Sequence, residues 1–160
     1  MTTLKTALAT YGHTRAIKDG AVTPTRATLE FEEFNPQSAA FKAMVPTARL
    51  DLVEMVWQHF LMARDYGKTF VGVPVFPVRQ FHHSAIVVNT AAGVATPKDL
   101  EGKRVGIRTY GFSRSYWVRA ALARDHGVDI SKVTWVVNEG EALDEYRLPS
   151  NVEVVSGDLS

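Results

Sequence analysis

The sequence contains no cysteine, which excludes disulfides, thiolate-ligated zinc and a cysteine nucleophile. Charge of one sign is also missing. Eighteen Lys plus Arg stand against 17 Asp plus Glu, so no bulk positive field gathers nucleic acid or an anionic membrane. No extended basic face is interleaved with aromatics either, and nucleic acid is not an expected partner. No apolar stretch approaches the ~20 residues that a bilayer span needs, so membrane insertion is not expected. The chain lacks a Gly-x-Gly-x-x-Gly fingerprint, a Gly-Lys-Ser/Thr phosphate loop and a Gly-x-Ser-x-Gly elbow. Internal repeats, low-complexity tracts and charge runs are absent. The segment Met1 to Thr6 shows no charged region followed by an apolar one. Taken as it stands the chain is expected in the cytoplasm, or in the periplasm where a leader has been removed.

What is present is ordinary globular material: 160 residues, 46% hydrophobic and 22% charged, enough for one good core. Leu4 to Thr10 reads as a buried first strand stopped by Tyr11-Gly12, and Thr14 as the cap of a short helix through Lys18. Leu29 and Phe31 alternate with Glu30 and Glu32, the period of a strand with one wet face. Asn35-Pro36 opens a helix whose buried stripe is Phe41, Met44 and Val45. Trp57, Phe60 and Leu61 repeat that spacing in a helix ending at Gly67. Strands are expected at Val71 to Val75 and Ser84 to Asn89. The first of these lies at an edge or bends out of the sheet, because Pro74 cannot donate a ladder bond. Pro97 to Gly102 is a short helical turn, Lys103 to Arg108 a strand, and Ser113 to His126 a helix closed by Gly127. Val133 to Val137 and Val152 to Val155 complete the strands, and Trp57, Trp117 and Trp135 fit core stripes. Alternating strands and helices predict an α/β fold with mixed, mainly parallel sheets. The small, turn-rich run Asn89 to Pro97 divides a first lobe, residues 1–92, from the start of a second, residues 93–160.

Polar residues gather where strands feed helices, the ligand end of open α/β sheets. One group is Tyr11, His13, Thr14 and Arg15; another is Glu54, Gln58 and His59. A third is Arg79, His82, His83 and Ser84, and a fourth is Tyr110, Ser113, Arg114 and Ser115. The fourth adds hydroxyls and a guanidinium to a helix N-terminus, where unpaired N–H groups and the helix dipole favour a carboxylate or phosphate. The competing reading makes Ser113 an ordinary N-cap and Arg114 a solvated charge. His82-His83 suggests a metal, but neighbouring side chains of an extended segment point apart and no further ligand completes a site. No metal and no cofactor is expected. Arg79 beside a histidine is a pair that could hold a carboxylate and supply a proton; the competing reading makes Arg79 a loop arginine on the surface.

The run Val73-Pro74-Val75-Phe76-Pro77-Val78-Arg79-Gln80-Phe81-His82-His83-Ser84-Ala85-Ile86, leading to Asn89-Thr90, is distinctive. So are Pro97-Lys98-Asp99-Leu100-Glu101-Gly102-Lys103-Arg104-Val105-Gly106, Tyr110, and Tyr116-Trp117-Val118-Arg119. In these stretches the chain resembles the 4,5-dihydroxyphthalate decarboxylase-like family, which overlaps in sequence with ABC-transporter substrate-binding proteins. The resemblance extends from the first strand to Glu145-Tyr146-Arg147-Leu148-Pro149. It implies a type II periplasmic-binding-protein-like fold: two lobes hinged around a cleft, with a small anionic or aromatic ligand between them. Arg79 and His83 match the family's Arg and His. His82 stands where decarboxylase-type members more often carry arginine, and Ser113-Arg114-Ser115 replaces a region usually richer in threonine.

Two functions follow from the resemblance. The first is a cofactor-free aromatic carboxy-lyase with His83 or His13 as proton donor and Tyr11, Arg15, Arg79, His82, Tyr110, Ser113 and Arg114 binding the ligand. Its alternative is a non-catalytic substrate-binding protein that delivers a small anionic or aromatic ligand to a transporter permease. The missing leader favours the first. The His82 departure and the lack of an obvious acid–base pair favour the second. Family members are about twice as long, so the chain reads as an N-terminal half with an incomplete second lobe. Val105, Ile107, Trp135 and Val137 are then expected to be under-covered, leaving an apolar face that promotes homo-oligomerisation or aggregation.

Overall fold

A computed structural model describes residues 1–157. Two compact units divide it, Met1–Gly72 and Val73–Ser160, and residues 73–92 group with the second.

The first unit is built on a parallel three-stranded sheet. Its centre is β1 (Thr2–Ala7), flanked by β2 (Ala27–Phe31) and β3 (Leu52–Val53). Leu4 pairs with Leu29 and Thr6 with both Phe31 and Leu52. The first strand ends at Ala7, short of the expected Thr10, because the backbone turns there to meet Thr14. The β2 alternation is as the sequence predicts, with Thr28 and Glu30 outward. Helix α1 is a single turn, Arg15–Lys18. Helix α2, Ala39–Met44, starts after Ser38 and not at Asn35-Pro36, and it buries Phe41 and Met44, with Val45 beside them.

Helix α3 (Trp57–Asp65) reverses the expected faces. It buries Gln58, His59 and Ala63, while Trp57 is 51% and Leu61 46% exposed. Ala63 is fully buried, and His59 packs edge-on against Phe41 at 5.5 Å. Trp57 instead stacks on its own neighbour Phe60, 5.4 Å away.

The second unit carries another parallel sheet, in the order β4 (Arg104–Ile107), β5 (Thr134–Val137), β6 (Val152–Val154). Val105 pairs with Trp135, which pairs in turn with Val152. Helix α4 runs over Ser113–His126 and closes on Gly127 at φ 66°, a left-handed residue that glycine adopts without a Cβ penalty. Before β4, a turn at Pro97–Leu100 carries a capping box between Thr96 and Asp99.

The expected under-covered face is not there. Trp135 is fully buried and Val137 nearly so, with Leu122 and Val128 packed around the indole and Val105 and Ile107 partly buried against it. The Trp135 indole N–H donates to the Ile130 carbonyl at 3.1 Å, so its polar end is also satisfied. Trp117, by contrast, lies on the outer face of α4 and is 47% exposed.

The strands expected at residues 71–75 and 84–89 do not form. This segment has only local turns, such as the 3-10 turns His83–Ala85 and Thr90–Ala92. A strand exists through its ladder, and no strand of the described residues pairs with this segment; Pro74 and Pro77 also remove donors. Its apolar side chains consequently face outward, Phe81 and Val87 almost fully.

Candidate functional site

In the second unit the loop from β4 to α4 brings three chemistries together. Phe112, extended at φ −73°, ψ 144°, is the residue before the helix, so Ser113 is its first residue and not its cap. Upstream of it, the Tyr110 N–H donates to Glu141 Oε1 at 2.7 Å, and the Gly111 N–H reaches both carboxylate oxygens at 3.1 and 3.0 Å. A carboxylate therefore already sits on these two amides, and it belongs to the chain itself. Arg108 makes a parallel contact two residues earlier, its Nε donating to Glu139 at 2.6 Å.

Beneath this loop lies Arg119, only 5% exposed. Its Nη1 donates to the Tyr110 carbonyl at 2.9 Å, and the guanidinium lies 3.6 Å from the Tyr110 ring centroid and 5.8 Å from that of Trp135. Burial lowers the Arg119 pKa, while Tyr110, Tyr146, Glu141 and Tyr116 oppose that shift. The group stays cationic, since arginine starts so far above neutrality.

His82 and His83 sit at a 3-10 turn and not on a strand. His82 is half-buried. Burial first, then the charges of Arg114 and His83, lower its pKa. His83 is exposed, with Nε2 4.0 Å from Asp125 Oδ2 and its ring 6.3 Å from that of Phe81. Arg79 and Arg114 are exposed. No group of three His, Asp or Glu that could hold a metal occurs among the described residues.

In the first unit, the loop after β1 is organised by Thr14. Its hydroxyl donates to the Ala9 carbonyl and accepts the Tyr11 N–H, both at 2.7 Å, so it braces the loop instead of capping α1 with its side chain. The Tyr11 hydroxyl donates to Glu54 Oε1 at 2.6 Å, and Glu54 Oε2 accepts the Ala9 N–H at 3.2 Å. Burial raises the Tyr11 pKa, and the bond to Glu54 and the Glu54 charge add to the rise. The His13 ring stacks on Tyr11 with centroids 5.3 Å apart and planes within 16°. His13 and Arg15 are exposed. Within each unit the structure thus gathers Tyr11 with His13, and His82 with His83 and Arg114.

Sequence reasoning missed Glu141 and Arg119. Both left a signal. Arg119 falls on the buried spacing Ser115–Arg119–Leu122 of α4, where a charge needs a partner. Glu141 lies four residues beyond the end of β5, at the end where open sheets bind ligands.

These features coincide with a match to the NMT1/THI5-like family model over residues 33–158. The chain belongs to that family. Its fold is accordingly type II periplasmic-binding-protein-like, in keeping with the two parallel sheets. Among curated relatives, the 4,5-dihydroxyphthalate decarboxylase of Comamonas testosteroni is 31% identical over 154 residues, which is 96% of this chain and 44% of that protein. The enzyme of the same name from Pseudomonas putida is 33% identical over 134 residues, 83% of this chain and 52% of that protein. The chain therefore spans about half the length of the curated relatives it matches. No helix among the described residues is long and apolar enough to cross a membrane.

Proposed function

We propose that this chain carries part of a cofactor-free aromatic carboxy-lyase acting on a small hydroxylated aromatic carboxylate. The observation that carries the reading is the similarity over 96% of the chain to a protein named 4,5-dihydroxyphthalate decarboxylase. A ring hydroxyl para to the leaving carboxylate feeds its electrons into the ring, so that the carbon bearing the carboxylate accepts a proton. The bond to the carboxyl carbon then breaks, its electron pair restores the aromatic ring, and carbon dioxide leaves. The protein has to supply a cation for the carboxylate and an acid that titrates near neutrality. Arg79 is assigned the anchor and His83 the proton donor, with His13 the other candidate donor. His82, with its lowered pKa, is better suited to accept or donate a single hydrogen bond than to hold an anion.

Carbon dioxide release from 4,5-dihydroxyphthalate, measured on the protein, tests this. Release is expected, with His83→Ala lowering kcat by about a hundredfold or more and Arg79→Ala mainly raising KM. The second reading is a substrate-binding protein without catalysis, favoured by the binding-protein fold and by His82 where decarboxylase-type sequences more often have arginine. Tight binding of the acid with no carbon dioxide released would establish that reading and end the first.

A further inference from the structure

The first unit contains a polar pair, Tyr11 and Glu54, whose carboxylate the proposed chemistry does not use. Glu54 follows β3, and its two oxygens are committed to two donors, the Tyr11 hydroxyl and the Ala9 N–H. A phenol has one proton and two lone pairs, and an ionised carboxylate accepts only. At 2.6 Å the single Tyr11 proton is directed at Glu54, and the raised Tyr11 pKa keeps it on the phenol. What remains available around this bond is lone pairs on both partners.

Three further backbone donors beside the pair are already engaged. The Tyr11 N–H goes to Thr14, and the Thr14 and Arg15 N–H groups go to the Tyr11 carbonyl at 3.2 and 3.0 Å. With only four residues, α1 adds little dipole. A ligand carboxylate brought here meets the Glu54 charge and finds these amides taken. A ligand hydroxyl finds acceptors. The exposed His13 ring, stacked on Tyr11, offers an aromatic face beside them.

We infer that Tyr11 and Glu54 form a hydroxyl-reading pair, in which Glu54 positions the phenol so that it offers a ligand only acceptors. Glu54 is then a positioning and specificity residue, selecting hydroxylated aromatic acids over their bare parents. This rests on the reading above that the ligand is such an acid.

The test is equilibrium binding of catechol, phthalate and 4,5-dihydroxyphthalate to the wild-type protein and to Glu54→Gln and Tyr11→Phe. The wild type is expected to prefer 4,5-dihydroxyphthalate over phthalate by about tenfold or more, the scale of one hydrogen bond to a charged group. In Glu54→Gln, which keeps an acceptor for the Ala9 N–H, that preference should shrink to about threefold or less while phthalate affinity stays within about twofold. Tyr11→Phe should lose the same preference and leave nothing further for the double variant to lose. Equal affinity for both acids, or a preference that survives Glu54→Gln, overturns the hydroxyl-reading pair but leaves the aromatic-acid reading standing. Catechol binding that depends on Glu54, with neither acid bound, supports the pair and overturns that reading. Binding of none of the three overturns both.

Discussion

The two strand-to-helix loops are held by the same device and end with opposite characters. After β1, Glu54 from the adjoining strand takes the Ala9 N–H; after β4, Glu141 from the adjoining strand's exit takes the Tyr110 and Gly111 N–H groups. Each loop also carries a tyrosine, Tyr11 or Tyr110. In the first unit the glutamate bonds the phenol itself, and the loop presents acceptors. In the second the glutamate takes backbone N–H groups, while the tyrosine ring covers the buried guanidinium of Arg119. A parallel sheet places the ends of neighbouring strands side by side, so a carboxylate just past one strand reaches the turn after the next. What the loop then offers depends on whether a buried cation lies under it.

The largest effect expected from this comparison concerns the tryptophans of the two units. Trp135→Ala should cost about 3–5 kcal/mol, the usual range for emptying a buried aromatic site, because it removes the centre of the second unit's core. Trp57→Ala, on the exposed side of α3, should cost less than about 1 kcal/mol. Urea unfolding followed by circular dichroism measures both. Equal costs would mean that the α3 face is buried in solution after all.

Next comes an acid sensitivity of the first unit seated at His59. Burial, and to a smaller extent Lys42, lowers the His59 pKa from 6.5 to about 4. The folded state thus prefers the neutral ring. The stability this contributes is complete above pH 6.5, falls as the pH drops from 6.5 towards 4, and is gone below that. The loss amounts to about 3 kcal/mol. Hydrogen exchange at pH 7 and pH 4.5 should show protection falling in α2 and α3 more than in α4, and His59→Gln should remove the difference. Equal losses in the two units would detach the effect from His59.

The smallest effect separates the two glutamates. Glu141→Ala leaves two amides to water and should cost about 1–2 kcal/mol. Glu54→Ala, which frees one amide and the phenol, should fall in the same range. Amide exchange should accelerate at Tyr110 and Gly111 in the first variant and at Ala9 in the second. Crossed effects, or none, would show that the carboxylates are incidental to the loops.

Local signals in the sequence were sufficient for much of this molecule. The β2 alternation, the capping box ahead of β4, and α4 with its terminal Gly127 are each specified by residues within a turn or two of one another. Buried strands such as β5 announce themselves by apolar runs. Pairing and facing were decided elsewhere. Residues 71–75 and 84–89 have the composition of strands, but a ladder needs a neighbour that composition does not name. Trp57 and Leu61 have the spacing of a buried stripe, yet α3 turns Gln58, His59 and Ala63 inward, His59 against Phe41. Glu54 and Glu141 lie 43 and 31 residues from the tyrosines they meet. That proximity arises only when parallel strands align their ends, so only the tertiary structure could decide which loop accepts a hydroxyl and which covers a cation.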